Sequence, residues 1–157
     1  RTVIPVQELL DAAGKYFKKL MKNRPERIEL EIEPMEAKVI GDVNQLRFLL
    51  ENLIDEALTV REDGVIRLQA RKDNEYIRFL FTDTRREKSV EELNQLFYPN
   101  LARMTSGEKG ELRGTEYLVC KQIIRDHDEF AGRRGCRINA EPAEGGGFTV
   151  YFTIPRR

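Results

Sequence analysis

The chain has no tryptophan, one histidine, two cysteines and no excess of either charge, with 27 basic residues set against 27 acidic ones. Each shortage removes a class of protein. Two cysteines, Cys120 and Cys136, are too few for a disulfide framework and have no ligand-spaced partner for a metal, so both are expected to be reduced core residues of a cytoplasmic protein. With a balance of zero, no overall field draws the molecule to nucleic acid or to a membrane surface. No apolar run approaches the length that spans a bilayer, and the opening RTVIPVQELL lacks the features of a signal peptide. At 157 residues the chain fits one domain, residues 1–157, with a single core.

What is present is centred on GDVNQLRFLLENLIDEALTV, Gly41 to Val60. Asp42 is a good N-cap, and Val43, Leu46, Leu49, Leu50, Leu53, Ile54 and Ala57 recur at spacings of three and four, which predicts a core helix with a wide buried stripe. Asn52 and Glu56 lie one turn apart on the edge of that stripe, where two polar side chains could face a ligand. Glu51 and Asp55 are also one turn apart and are expected to be solvated.

The periodicities on either side give the remaining elements. Val6 to Met21 reads as a helix with Pro5 at its start. Ile28, Leu30 and Ile32 alternate with Glu29, Glu31 and Glu33 as a half-exposed strand whose glutamates discourage edge pairing. Ala37 to Ile40 is a short strand, and Val65–Arg71 with Tyr76–Thr82 form a hairpin. Ser89 caps a short helix through Phe97. Residues 98–113 lose all periodicity and read as a lid-like loop. A helix follows over Gly114 to Asp126, then a polar loop from Asp128 to Gly135 that includes Arg133 and Arg134. Cys136–Ala140 and Phe148–Ile154 close the chain as strands around Gly145, Gly146 and Gly147. This order predicts an α+β fold, a two-layer α/β sandwich in which helices cover one face of a mixed, mostly antiparallel sheet.

The central helix, with Asp42, Leu46, Leu50, Asn52, Leu53 and Ala57 in place, resembles the N-box helix of the ATP-binding domain of sensor histidine kinases, a fold shared with gyrase, Hsp90 and MutL. DTRREKSVEELNQLFYPN is similar to the family's first glycine motif and the helix after it, matching at Asp83, Leu93, Leu96, Phe97 and Pro99. GTEYLVCK matches the second glycine motif at Gly114 and Lys121, and GGGFTVYFTIP matches the last strand. The resemblance runs through nearly the whole chain. It implies a nucleotide site built on Asn52, Glu56, Asp83 and Gly114, with Asp83 receiving the adenine amino group and Glu56 standing where an asparagine holds magnesium.

The departures fall where the family touches nucleotide. Thr59 stands for a phosphate-contacting lysine, Arg85 and Glu87 for two glycines, Glu116 for a glycine of the second motif, and Phe148 for a frequent threonine. Glycine beside a nucleotide leaves room that a side chain would take. Arg85 is therefore expected to fill the base end, and Glu116 to bring a carboxylate near the phosphates. Arg85 and Glu116 are expected to pair across the vacant pocket.

The resemblance implies the C-terminal ATPase-like domain of a longer two-component receptor, cytoplasmic or the cytoplasmic part of a membrane-anchored one. Its partners would be upstream dimerisation helices and a response regulator. The substitutions predict a signalling or scaffolding module that binds ATP and magnesium weakly or not at all, catalytically impaired and not self-sufficient. The alternatives are a divergent but working Mg-ATP-binding kinase domain, with Glu56 holding magnesium and the lid rearranged, acting on a histidine outside this chain, and a partner-switching protein of the same fold. His127 is expected at a helix end rather than as the phosphate acceptor.

Overall fold

The computed structural model describes residues 1–99, 105–106, 112–132 and 135–157. Most of the loop expected at 98–113, and the pair Arg133 and Arg134, lie outside these residues. The elements are β1 (Thr2–Pro5), α1 (Val6–Met21), β2 (Ile28–Ile32), β3 (Lys38–Gly41), α2 (Val43–Ala57), β4 (Gly64–Asp73), β5 (Tyr76–Asp83), α3 (Val90–Gln95), β6 (Thr105–Ser106), β7 (Leu112–Arg113), α4 (Glu116–Ala131), β8 (Ile138–Pro142) and β9 (Phe148–Pro155).

Five strands form the main sheet in the order β2-β4-β5-β9-β8. Only β2 and β4 are parallel; the other pairings are antiparallel. Alternation along each strand sends one row inward. Ile66, Leu68, Ala70, Ile77, Phe79, Phe81, Val150, Phe152 and Ile154 are all buried, and Phe79 stacks on its register partner Phe152 with ring centroids 4.8 Å apart. Helices α1, α2 and α4 supply the other half of the core through Leu9, Leu10, Phe17, Leu46, Leu49, Leu50, Leu53, Ile123 and Ile124. Burying each large side chain contributes about 1.5–3 kcal/mol, so this interleaved layer dominates the stability.

The opposite face of the sheet is charged. Glu31 pairs with Arg67 at 3.2 Å and Glu33 with Arg71 at 2.8 Å, and Arg78 lies over the Tyr151 ring. Exposed pairs of this kind contribute little. The molecule is thus the two-layer sandwich that the sequence pattern predicts.

Four local expectations need correction. Residues Thr2–Pro5 form a strand that pairs antiparallel with β3 in a separate two-stranded sheet, an arrangement missed because its partner lies more than thirty residues away. The last strand pair begins at Ile138 rather than Cys136; Cys136 is buried before the strand, held by its N–H donating to Asp128 Oδ1 at 3.0 Å. Helix α4 continues to Ala131 and stops at Gly132, whose φ of +66° ends it in the left-handed region. His127 therefore lies inside the helix, 3% exposed, with Nδ1–H donating to Ile123 O at 2.8 Å and Nε2 accepting from the Asp42 N–H at 3.1 Å. Those two bonds fix one neutral tautomer and tie α4 to the start of α2.

Candidate functional site

The inward row of β5 ends at Asp83, which faces Phe148 and Ile66 across the sheet and lies beside the C-terminal end of α2. Two residues further on, past the end of β5, the chain bends at Arg85, whose backbone N–H closes a local turn on the Asp83 carboxylate. Its guanidinium turns back onto Asp83. Nε donates to Asp83 Oδ1 at 3.0 Å and Nη2 to Oδ2 at 2.9 Å, while the Arg85 backbone N–H also reaches Oδ1 at 3.0 Å. The pair is sealed from water, with side chains 1% and 5% exposed.

The other guanidinium hydrogens reach the last residue of α2 and the connection that follows it. Nη2 donates to Ala57 O at 2.6 Å, and Nη1 to Val60 O at 2.8 Å and Glu62 O at 3.0 Å. A helix end leaves carbonyls without partners and carries partial negative charge, so a buried cation is the complementary group. Every one of the five side-chain N–H groups of Arg85 has an acceptor.

One glycine makes room for this side chain and a second for the backbone at the end of β5. Gly64 has φ +143°, and a methyl group added there would meet Arg85 Cγ at 2.6 Å. Gly147, at φ +84°, lies so close to the end of β5 that an added methyl would meet Asp83 O at 2.1 Å. Neither position tolerates a larger residue without displacing the pair.

The expected bond between Arg85 and Glu116 is not formed. All five Arg85 side-chain N–H groups are instead engaged by Asp83 and the carbonyls of Ala57, Val60 and Glu62. Glu116 opens α4, with Oε2 buried and without a hydrogen-bond partner. Its carboxylate acts on Cys120, whose thiol is pushed well above its ordinary range, first by burial, then by Glu116, with Glu56 adding to it. Glu116 also raises Asp55, again after burial as the main cause and against the opposing hydrogen bond from Tyr16. Asp55 is thus not the solvated carboxylate that its helix position suggests. It accepts from the Tyr16 hydroxyl at 2.5 Å, and that hydroxyl is itself raised by burial and by Asp55.

The other sequence candidates are spread around this end. Asn52 is buried and donates to Phe48 O of its own helix at 2.7 Å. Thr59 Oγ1 donates to the Glu56 carbonyl at 2.6 Å. Phe148 is buried, with Lys88 Nζ 5.4 Å from its ring centre, and Glu87 lies exposed opposite Gly146. Gly114 adopts φ +82° just before α4. Asp83 and Arg85 are in direct contact, and Glu56 and Glu116 both act on Cys120. Among the described residues, no group of three His, Cys, Asp or Glu could hold a metal ion. The parts missed in the sequence are backbone atoms, the carbonyls of Ala57, Val60 and Glu62, together with Gly64, whose side-chain identity carries no sign of the role.

No curated protein matches this chain. Solved structures do. The mycobacterial sensor histidine kinase MprB aligns with a TM-score of 0.75 at 18% identity, covering 99% of this chain and 97% of that one. A full-length ShkA structure in complex with AMPPNP aligns at 0.72 with 16% identity, covering 99% of this chain and 31% of that one. The histidine kinase ThkA in complex with the response regulator protein TrrA aligns at 0.72 with 19% identity, covering 99% and 42%. These likenesses establish the fold. The family model described as histidine kinase-, DNA gyrase B-, and HSP90-like ATPase matches residues 41–157, and the chain belongs to that family.

Proposed function

We propose that this domain is the ATPase-like module of a sensor histidine kinase and serves signalling or scaffolding with weak or no ATP binding. One observation carries the reading: the Arg85 guanidinium holds both oxygens of Asp83, the carboxylate to which the family resemblance assigns adenine. Seating the base there would require expelling Arg85 from five hydrogen bonds. Breaking a buried ion pair costs about 3–5 kcal/mol, which is about two to three and a half decades of affinity at 1.4 kcal/mol per tenfold. A micromolar nucleotide site would become a millimolar one.

The phosphate end supports the same reading. Glu116 opens α4 with a buried carboxylate oxygen that has no hydrogen-bond partner, so anionic phosphates arriving at that helix start would meet like charge. The residues present therefore do not fit Mg-ATP in the family's manner. His127, buried with both ring nitrogens engaged, is not the phosphate acceptor in this reading, and any such histidine belongs to dimerisation helices outside the chain. A response regulator is the downstream partner this reading implies, as the ThkA and TrrA complex suggests by analogy.

A thermal-shift titration with Mg-ATP tests the proposal. It expects no displacement of the melting point at sub-millimolar nucleotide. A saturable rise, worth about 2.7 kcal/mol at a hundredfold excess over Kd, would instead identify a divergent but working kinase domain.

A further inference from the structure

We infer that the pocket at the end of α2 is a guanidinium site filled from within the chain, with Arg85 as a built-in ligand that fixes the helix end. The inference rests on the reading that no nucleotide occupies the Asp83 end, and it adds what the arginine does there.

The chemistry of the lining points to this class of ligand. The guanidinium's partners are the two Asp83 carboxylate oxygens and the carbonyls of Ala57, Val60 and Glu62, five acceptors brought together in one place. A planar cation with forked donors matches that set, whereas a compact ammonium could reach only part of it. The negative end of α2 adds to the preference for a cation.

The walls are also shaped to the arginine stem. Gly64 stands against Arg85 Cγ, and Gly147 lets the β8–β9 turn close over Asp83. Three separate segments meet on the guanidinium: the last turn of α2, the connection through Val60 and Glu62, and the end of β5. In a domain that takes a ligand here, those segments would be organised on binding. Here the organisation is permanent.

The test uses Arg85→Ala with methylguanidinium as the added probe and methylammonium as the control cation. Arg85→Ala is expected to melt roughly 10 °C lower and to exchange its amides at residues 57–64 about a hundredfold faster, with the rest of the sheet less affected. Methylguanidinium should restore both in a saturable way; methylammonium should not, and neither should act on wild type or on the variant that also carries Asp83→Ala. Unchanged exchange at 57–64, or equal rescue by both cations, would overturn the inference. If Arg85→Ala fails to fold, Arg85→Lys keeps the charge without the fork, and wild-type protection at 57–64 in that variant would overturn it as well. The two readings part cleanly. Mg-ATP binding by wild type would defeat the proposed function and leave the exchange result standing, while absent nucleotide binding with unchanged exchange would defeat only the built-in ligand.

Discussion

The two ends of α2 are finished in different ways. At the start, Asp42 Oδ1 accepts from the Gln45 N–H at 3.0 Å, an ordinary cap made by the residue next to the helix, with His127 of α4 accepting the Asp42 N–H behind it. At the other end the carbonyls are served by two arginines from distant segments. Arg24 donates to Leu58 O at 2.7 Å, and Arg85 takes Ala57, Val60 and Glu62. A local cap holds a helix. An imported cation also commits the surrounding pocket to one occupant, and in this molecule the committed end is the one the family resemblance gives to nucleotide.

The sharpest way to break the contrast is Asp83→Ala. It leaves the Arg85 guanidinium, 1% exposed, without its anion, and should cost about 3–5 kcal/mol, lowering the melting temperature by roughly 6–20 °C in a scanning calorimeter. Gly64→Ala acts on the same end from the wall. Its methyl would press on Arg85 Cγ from a backbone angle that L residues rarely adopt, at a cost of about 1–3 kcal/mol in urea denaturation.

At the opposite end the effects are smaller. Asp42→Ala removes one capping bond and should cost about 1 kcal/mol by the same denaturation. His127 gives this end a pH dependence with a definite sign. Burial holds its pKa below the ordinary value, with Arg1 adding and the Ile123 carbonyl, Asp42 and Asp126 opposing. The unfolded chain takes a proton near pH 6.5 while the native imidazole resists it, so stability falls as pH drops below about 6.5. The depressed carboxylates Asp42, Glu26, Glu33 and Glu92 add the same trend only at lower pH, and Asp55, raised by burial, works against it. His127→Gln should flatten the fall between about pH 6.5 and 5, measured as midpoint against pH. An unaltered slope would mean that another group titrates there.

What could be read in the sequence follows from periodicity. The alternation of Ile77, Phe79 and Phe81 and the threefold and fourfold spacing of Leu46, Leu49, Leu50 and Leu53 are local patterns, and the sheet and α2 stand where they predict. The β1–β3 pairing joins residues far apart in the chain and has no local signature. The site is instructive in a different way. Asp83 and Arg85 both stand out in the sequence, but the turn that folds Arg85 back onto Asp83 begins where β5 ends and has no periodicity to predict it, so opposite charge alone points Arg85 to Glu116. Asp55 looked solvated from its helical position because the Tyr16 hydroxyl that buries it comes from another helix, thirty-nine residues earlier. Carbonyl acceptors such as Ala57 O cannot be marked by residue type at all.

The most direct measurement follows the Arg85 Nε–H resonance of labelled wild-type protein while Mg-ATP is added to millimolar concentration. One slowly exchanging signal is expected, protected by Asp83 and unmoved by nucleotide. A signal that shifts and loses its protection as ATP saturates would show that the arginine leaves its seat for the base, and would contradict the account.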